Sequence, residues 1–289
     1  MRTDGIVLLD KPAGTTSFTT LGALKRELET GRIGHTGTLD KFATGLLVAL
    51  TGRFTKLADL FSALDKCYEA TIVLGETTDT LDPEGRIVEQ GPLPRLRSIE
   101  QAAKELTGTI EQLPPDYSAV HVGGERAYRI ARSGGNPRLQ PRRVTIHSLE
   151  VLDHRGAELD IAVRCSKGTY IRALARDLGR AAGSCAYVRR LRRTEVGPYT
   201  VEEALAPDRF PGPDALENSL ERLSRLDSIG ILPVKREYET AIRQGQTLRE
   251  RFFSEAPGRE RIFAVLDSCG CLMAVAVREG SDYRYKMVL

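Results

Sequence analysis

The chain has 289 residues, of which 41% are hydrophobic and 28% charged, with a formal net charge of +3. Such proportions describe a water-soluble globular protein, long enough for one large domain and one small one. No apolar run approaches membrane-spanning length; Met1 to Asp10 is too short and too acidic for a signal peptide, and the five cysteines lack metal-ligand spacing, so a cytoplasmic protein with reduced thiols, no metal and no membrane association is expected.

In chain order, Ile6–Leu9 reads as a first buried strand, ended by Asp10-Lys11-Pro12-Ala13-Gly14. Ser17 is placed to cap a helix whose Phe18, Leu21, Leu24 and Leu28 recur at helical spacing. The stretch Gly34-His35-Thr36-Gly37-Thr38-Leu39-Asp40-Lys41-Phe42-Ala43-Thr44-Gly45 follows, and the apolar run Leu46–Leu50 comes directly after it. Glycines let a loop bring its backbone close to a neighbour, and an apolar run of this length suits a buried strand. Asp40 is therefore a carboxylate on a structured loop beside the sheet, either chemically active or merely closing a turn or capping a helix.

Tyr68, Ala70, Ile72 and Leu74 alternate as the buried face of a strand. Asp79 to Gly85 is rich in turn residues, and Ser98-Ile99-Glu100-Gln101 has the spacing of a capping box before a helix that stops near Gly108. From Pro114 to Pro141 periodicity fades; an irregular stretch that long in a compact domain is more often functional than idle. Strands are predicted at Val144–Leu152 and Leu159–Cys165, then a turn and a helix from about Tyr170 to Ala182. Residues 121–200 carry 16 Lys plus Arg, 15 of them arginine, against 7 Asp plus Glu. This bias points to a polyanion partner, with an ordinary solvated, ion-paired surface as the alternative. Residues 206–230 read as a connecting segment, Ile262–Asp267 and Leu272–Val277 as a β-hairpin, and Tyr285–Leu289 as a last strand.

Several of these segments together resemble the bacterial tRNA pseudouridine synthase B family, which modifies uridine 55 in the T-loop. The resemblance rests on Leu9–Ser17, Gly34–Asp40 with Ala43-Thr44-Gly45, and Lys66-Cys67-Tyr68 with Leu74-Gly75 and Thr78-Asp79-Thr80. It continues through Leu113-Pro114-Pro115 with Tyr117-Ser118-Ala119, Gly168-Thr169-Tyr170-Ile171-Arg172, and Leu191-Arg192-Arg193. It implies an α+β fold, with a mixed, mainly antiparallel pseudouridine-synthase sheet, flanking helices and a small C-terminal β-rich PUA-like domain. The implied division is 1–228 for catalysis, with an RNA-clamping insertion at about 114–141, and 229–289 for the PUA-like part.

The same resemblance assigns Asp40 as the essential carboxylate, Arg172 as its partner and Tyr68 as the ring that stacks on the target base. Whether Asp40 attacks sugar or base, or takes a proton, stays open. His35, Tyr170, Leu191 and Lys11 are assigned to the nucleotide pocket, with core packing an equal reading for Leu191 and Lys11 equally open. The reaction it implies breaks C1′–N1 and joins C1′ to C5 after base flipping, without a cofactor. The implied partner is the T-arm of tRNA, with the enzyme a monomer needing no obligate protein partner. Two positions depart from the family pattern: Lys41 where proline is usual, and His121 where lysine is common. A non-catalytic tRNA-folding protein, a uracil-C5 methyltransferase and a guide-dependent synthase are the rivals. The first could dispense with Asp40, Tyr68 or Arg172; the second needs a thiol nucleophile; the third usually brings lysine-rich tails.

Overall fold

The computed structural model describes residues 3–289; Met1 and Arg2, part of the stretch weighed against a signal peptide, lie outside them. The chain opens with β1 (Gly5–Lys11), α1 (Ser17–Thr20), α2 (Gly22–Glu27), β2 (Ile33–His35) and β3 (Thr44–Thr51), and α3 (Ala58–Ser62) follows. Next come β4 (Lys66–Leu74), the hairpin β5 (Glu76–Thr78) and β6 (Ile87–Gln90), α4 (Leu96–Glu105) and β7 (Gly108–Gln112). The segment that looked irregular holds a two-residue hairpin, β8 (His121–Val122) with β9 (Glu125–Arg126), and α5 (Ala127–Arg132). Then β10 (Arg142–Arg155), β11 (Glu158–Cys165), α6 (Ile171–Ala181), β12 (Ala186–Val196) and β13 (Tyr199–Thr200) complete the large sheet.

That sheet runs β1-β3-β12-β4-β11-β10-β7, with β2 on β3 and β13 on β12. Its pairings are antiparallel except β12 with β3, where Arg192 and Arg193 lie beside Thr44 and Gly45 in parallel. The run Leu46–Leu50 does not alternate because β3 is buried on both faces. Leu46, Val48 and Leu50 enter one apolar cluster, and Leu47 and Ala49 another with Leu24 and Leu28 of the helical entry. Strand β4 places Tyr68, Ala70, Ile72 and Leu74 on the face covered by α4 and α6.

A second sheet closes the chain, in the order β14 (Ile229–Pro233), β15 (Ile262–Leu266), β16 (Leu272–Glu279), β17 (Asp282–Val288), with β14 parallel to β15. One of its faces holds Phe263 and Val265 against Phe252 and Phe253, while Ala264, Val275 and Met287 join Ile6, Leu8 and Leu46 in a shared cluster. The fold is α+β, as expected, with a mixed, mainly antiparallel sheet, flanking helices and a small C-terminal β-sheet.

Local expectations needed correction. Thr16, not Ser17, caps α1, and the expected single helix divides at Leu21 into α1 and α2. Phe18 is solvent-exposed under the ammonium of Lys25 rather than in the core. The cap of α4 is Arg95, so Ser98 lies inside the helix. Strand β14 falls at the end of the stretch read as a connection.

Candidate active site

The loop between β2 and β3 is held at almost every turn. Thr36 donates its backbone N–H to Val48 (3.1 Å). Ser17, buried at the start of α1, takes the Leu39 N–H at 2.9 Å and donates to the Leu39 carbonyl at 3.1 Å. The Lys41 carbonyl accepts from Gly14 N (2.8 Å) and lies 3.4 Å from the Lys11 ammonium. Ala43 N returns to the Asp40 carbonyl at 3.2 Å, a turn that carries Asp40 at its corner.

From this corner Asp40 meets Arg172, one residue into α6 and 132 positions away. Arg172 Nη2 donates to Asp40 Oδ1 at 3.0 Å, and its Nε stands 2.9 Å from Oδ2. The guanidinium is almost wholly buried, whereas about a third of the Asp40 side chain faces the cleft. The other edge of Arg172 is committed as well: Nη1 donates to the Thr80 carbonyl (2.8 Å) and Asp82 Oδ2 (3.2 Å), and Nη2 also reaches the Tyr117 carbonyl (2.9 Å). A planar fork held on several sides presents a carboxylate in one orientation. Burial raises the Asp40 carboxyl above the ordinary carboxylate range; the Arg172 charge opposes that rise, and Asp82 adds to it.

Tyr68 lies on β4, buried in the cluster that contains Leu39 and Ala43 of the loop and Leu191 of β12. Burial raises its phenol, Arg193 opposes, and the Asp40 charge adds to the rise, so carboxylate and ring share one electrostatic neighbourhood. Leu191 pairs with Ala70, and Arg193 with Tyr68, across β12 and β4. Tyr68 and Leu191 thus share one packed cluster with Leu39 and Ala43, the residues that flank the Asp40 turn.

The other expected pocket residues divide. Lys11 is fully buried, its ammonium 2.9 Å from the Pro12 carbonyl and 2.8 Å from that of Thr15. Burial lowers it to about 8, with Asp40 opposing and Arg193 assisting. His35 ends β2 half-buried; its Nδ1 is buried without a hydrogen-bond partner, and burial, then Arg193, lowers its pKa, favouring neutral imidazole. Tyr170 caps α6, exchanging both backbone bonds with the Gln112 side chain, and its ring carries the Arg142 guanidinium at 4.4 Å.

Two residues of this constellation escaped the sequence reading. Asp82 looked like one more turn residue, yet it is buried, takes Thr80 Oγ1 at 2.6 Å and Glu84 N at 3.0 Å, and faces Arg172. Its one local signal is Asp82-Pro83-Glu84-Gly85, which any turn could carry. Arg193 enters the sequence reading only through the arginine excess of residues 121–200 and the Leu191-Arg192-Arg193 motif, yet it is buried, because alternate residues of β12 point to opposite faces. The arginine belt as a whole is thinner than its count suggests. Arg155 pairs with Asp153 and Asp160, Arg189 with Glu158, and Arg192 with Asp10. Arg126, Arg129, Arg132, Arg138 and Arg143 remain exposed around α5 and the start of β10. Of the two departures, Lys41 extends into solvent with its ammonium 3.8 Å from Glu84, and His121 is exposed on β8.

Residues 25–171 match the family model for the N-terminal domain of TruB family pseudouridylate synthases, and residues 172–208 that for the C-terminal domain of tRNA pseudouridylate synthase B. The tRNA pseudouridine synthase B of Borreliella burgdorferi is 39% identical over 92% of this chain and 96% of its own. That of Mycobacterium tuberculosis is 40% identical over 99% and 95%. Among solved structures, a chain of an H/ACA ribonucleoprotein bound to a substrate RNA containing 2′-deoxyuridine superposes with a TM-score of 0.71 at 22% identity, covering 98% of this chain and 84% of that one. A chain of an archaeal box H/ACA complex gives 0.70 at 20% identity, covering 99% and 86%. These structures share the fold. The chain belongs to the TruB family of pseudouridylate synthases.

Proposed function

We propose that the chain converts uridine 55 in the T-loop of tRNA to pseudouridine, with Asp40 as the reacting carboxylate, Arg172 as its partner and Tyr68 stacked on the target base. The observation that carries this reading is the two-point contact of Arg172 with Asp40 beside buried Tyr68. Within the family, it is this pairing that gives an isolated carboxylate both a fixed direction and a compensating charge.

The reaction is redox-neutral and adds no atom. The C1′–N1 bond breaks while Asp40 stabilises or captures the released sugar or base, the uracil turns, C1′ joins C5, the C5 proton departs, and the freed N1 takes up a proton from water. A uridine inside a folded loop must first leave its stack, at a cost of a few kcal/mol. Tyr68 and Leu191 offer the flipped base an apolar floor, neutral His35 borders the pocket, and Lys11 fixes the loop from beneath. Tyr170, under Arg142, suits the rim. Exposed arginines near α5 hold phosphates and so position the RNA.

We assign residues 1–228 to catalysis, with 114–141 closing over RNA, and 229–289 to a PUA-like RNA-binding part. The enzyme acts as a cytoplasmic monomer; no helix among the described residues is long and apolar enough to cross a membrane. The relatives named tRNA pseudouridine synthase B, near 40% identity across almost the full chain, favour a free-standing enzyme over a guide-dependent one. The test is tritium release from a tRNA transcript labelled at uridine C5. Wild type should release it from position 55, and Asp40→Asn should not while still binding tRNA. Normal turnover by Asp40→Asn would end the assignment.

A further inference from the structure

Arg193 is a buried cation that forms no ion pair among the described residues. Its Nε donates to the Leu46 carbonyl at 2.7 Å and its Nη2 to the Gly37 carbonyl at 3.0 Å. These carbonyls stand at the two ends of the segment that carries Asp40. Taking a guanidinium out of water costs several kcal/mol, and two backbone carbonyls are a weak return for stability alone. The loop is also shaped to receive it. A Cβ on Gly37 would sit 3.3 Å from Arg193 Nη1. Gly45 has φ +104°, and a Cβ there would lie 2.7 Å from the Arg193 backbone nitrogen. Strand pairing puts Arg193 beside Tyr68 on β4 and Gly45 on β3.

We propose that Arg193 is a positioning residue, a buried clamp that ties both ends of the Asp40 loop to the strand facing Tyr68 and so sets the distance between carboxylate and ring. The inference rests on the roles given above to Asp40 and Tyr68. It also accounts for two glycines of the loop: Gly37 admits the guanidinium, and Gly45 admits the strand that bears it. Lys11 also holds this loop, through the Lys41 carbonyl. In the pocket, the Arg193 charge opposes the effect of burial on the Tyr68 phenol.

The test compares wild type, Arg193→Lys, Arg193→Met and Gly37→Ala by steady-state tritium release, with tRNA affinity and thermal unfolding measured alongside. A lysine keeps the charge but lacks the rigid planar fork that fixes the directions of two bonds at once. We expect kcat to fall about 10-fold in Arg193→Lys and about 100-fold in Arg193→Met, with tRNA affinity within about twofold, since ångström-scale misplacement of a reacting group costs rates of that order. Gly37→Ala, which leaves the buried charge intact and remains informative if Arg193→Met does not fold, forces a shift of only a few tenths of an ångström and should lose a few-fold in kcat. Wild-type kcat in Arg193→Lys or in Gly37→Ala overturns the proposal, as does a defect confined to KM. If wild type itself releases no tritium, the functional reading fails instead, so the two failures are distinguishable.

Discussion

Asp82 holds Arg172 from the side opposite Asp40: its Oδ2 accepts from Nη1 at 3.2 Å, while Asp40 accepts from Nη2 and lies 2.9 Å from Nε. One guanidinium therefore serves two carboxylates, one exposed to the cleft and one buried behind it. This arrangement separates anchoring from chemistry. Asp82→Ala should lower stability by about 1–3 kcal/mol, the cost of leaving a buried polar group short of its partner. It should also reduce kcat by about 10- to 100-fold through misaligned Asp40, with tRNA affinity unchanged. Denaturant unfolding and single-turnover assays measure both; full activity in Asp82→Ala would show that Arg172 needs no rear anchor.

The Asp40 carboxyl, raised by burial, should set the acid limb of the kcat–pH profile above the range of a free carboxylate. With Asp40 reacting as the anion, as proposed, activity should rise with pH through that limb. The same direction sets stability: a native pKa above the unfolded one means that the ionised carboxylate costs folding free energy once pH exceeds the native pKa. Asp40→Asn should accordingly unfold at pH 7 at or above the wild-type temperature, since Asp82 still pairs with Arg172. A marked drop in Tm would mean that Asp40 stabilises the fold.

Lys11 brings an alkaline limb. Its ammonium has three donors for the carbonyls of Pro12, Thr15 and Lys41, and a neutral amine has two. Loss of the proton near pH 8 loosens the loop just past Asp40, so kcat should fall as pH rises through about 8. Stability moves the other way. A native pKa below the unfolded 10.5 means the unfolded chain binds more protons between them, so wild type should gain stability relative to Lys11→Met from about pH 8 to 10. A kcat profile that stays flat to pH 10 contradicts this role.

Tyr68→Phe keeps the ring on β4 and removes the hydroxyl. If the phenol moves a proton, kcat should drop by about 10²–10⁴-fold with binding retained. A ring that only stacks predicts nearly unchanged kcat in Phe and a loss in Tyr68→Ala, so the pair of variants separates the two functions.

Exposed Arg126, Arg129, Arg132 and Arg143 should contribute separable phosphate contacts. Replacing all four by Gln should weaken tRNA binding at low salt and flatten the dependence of log affinity on log salt by about 0.7–0.9 per lost contact. An unchanged slope would place the phosphate-binding surface elsewhere.

The elements themselves were legible in the residues. The apolar run Leu46–Leu50, the alternation from Tyr68 to Leu74 and the helical pattern before Ala182 each depend on spacing of a few residues, and each became the expected element. The family motifs also singled out Asp40, Arg172 and Tyr68 before any contact was visible. What the residues could not reveal was which charges meet. Asp82 and Arg193 look like a turn residue and a surface cation until β12, β4 and the 79–85 loop converge on one cleft. Their partners lie 90 and about 150 positions away, and local spacing carries no information about pairs that distant. Periodicity is a property of neighbouring residues, whereas the burial and pairing of a charge belong to the packed whole.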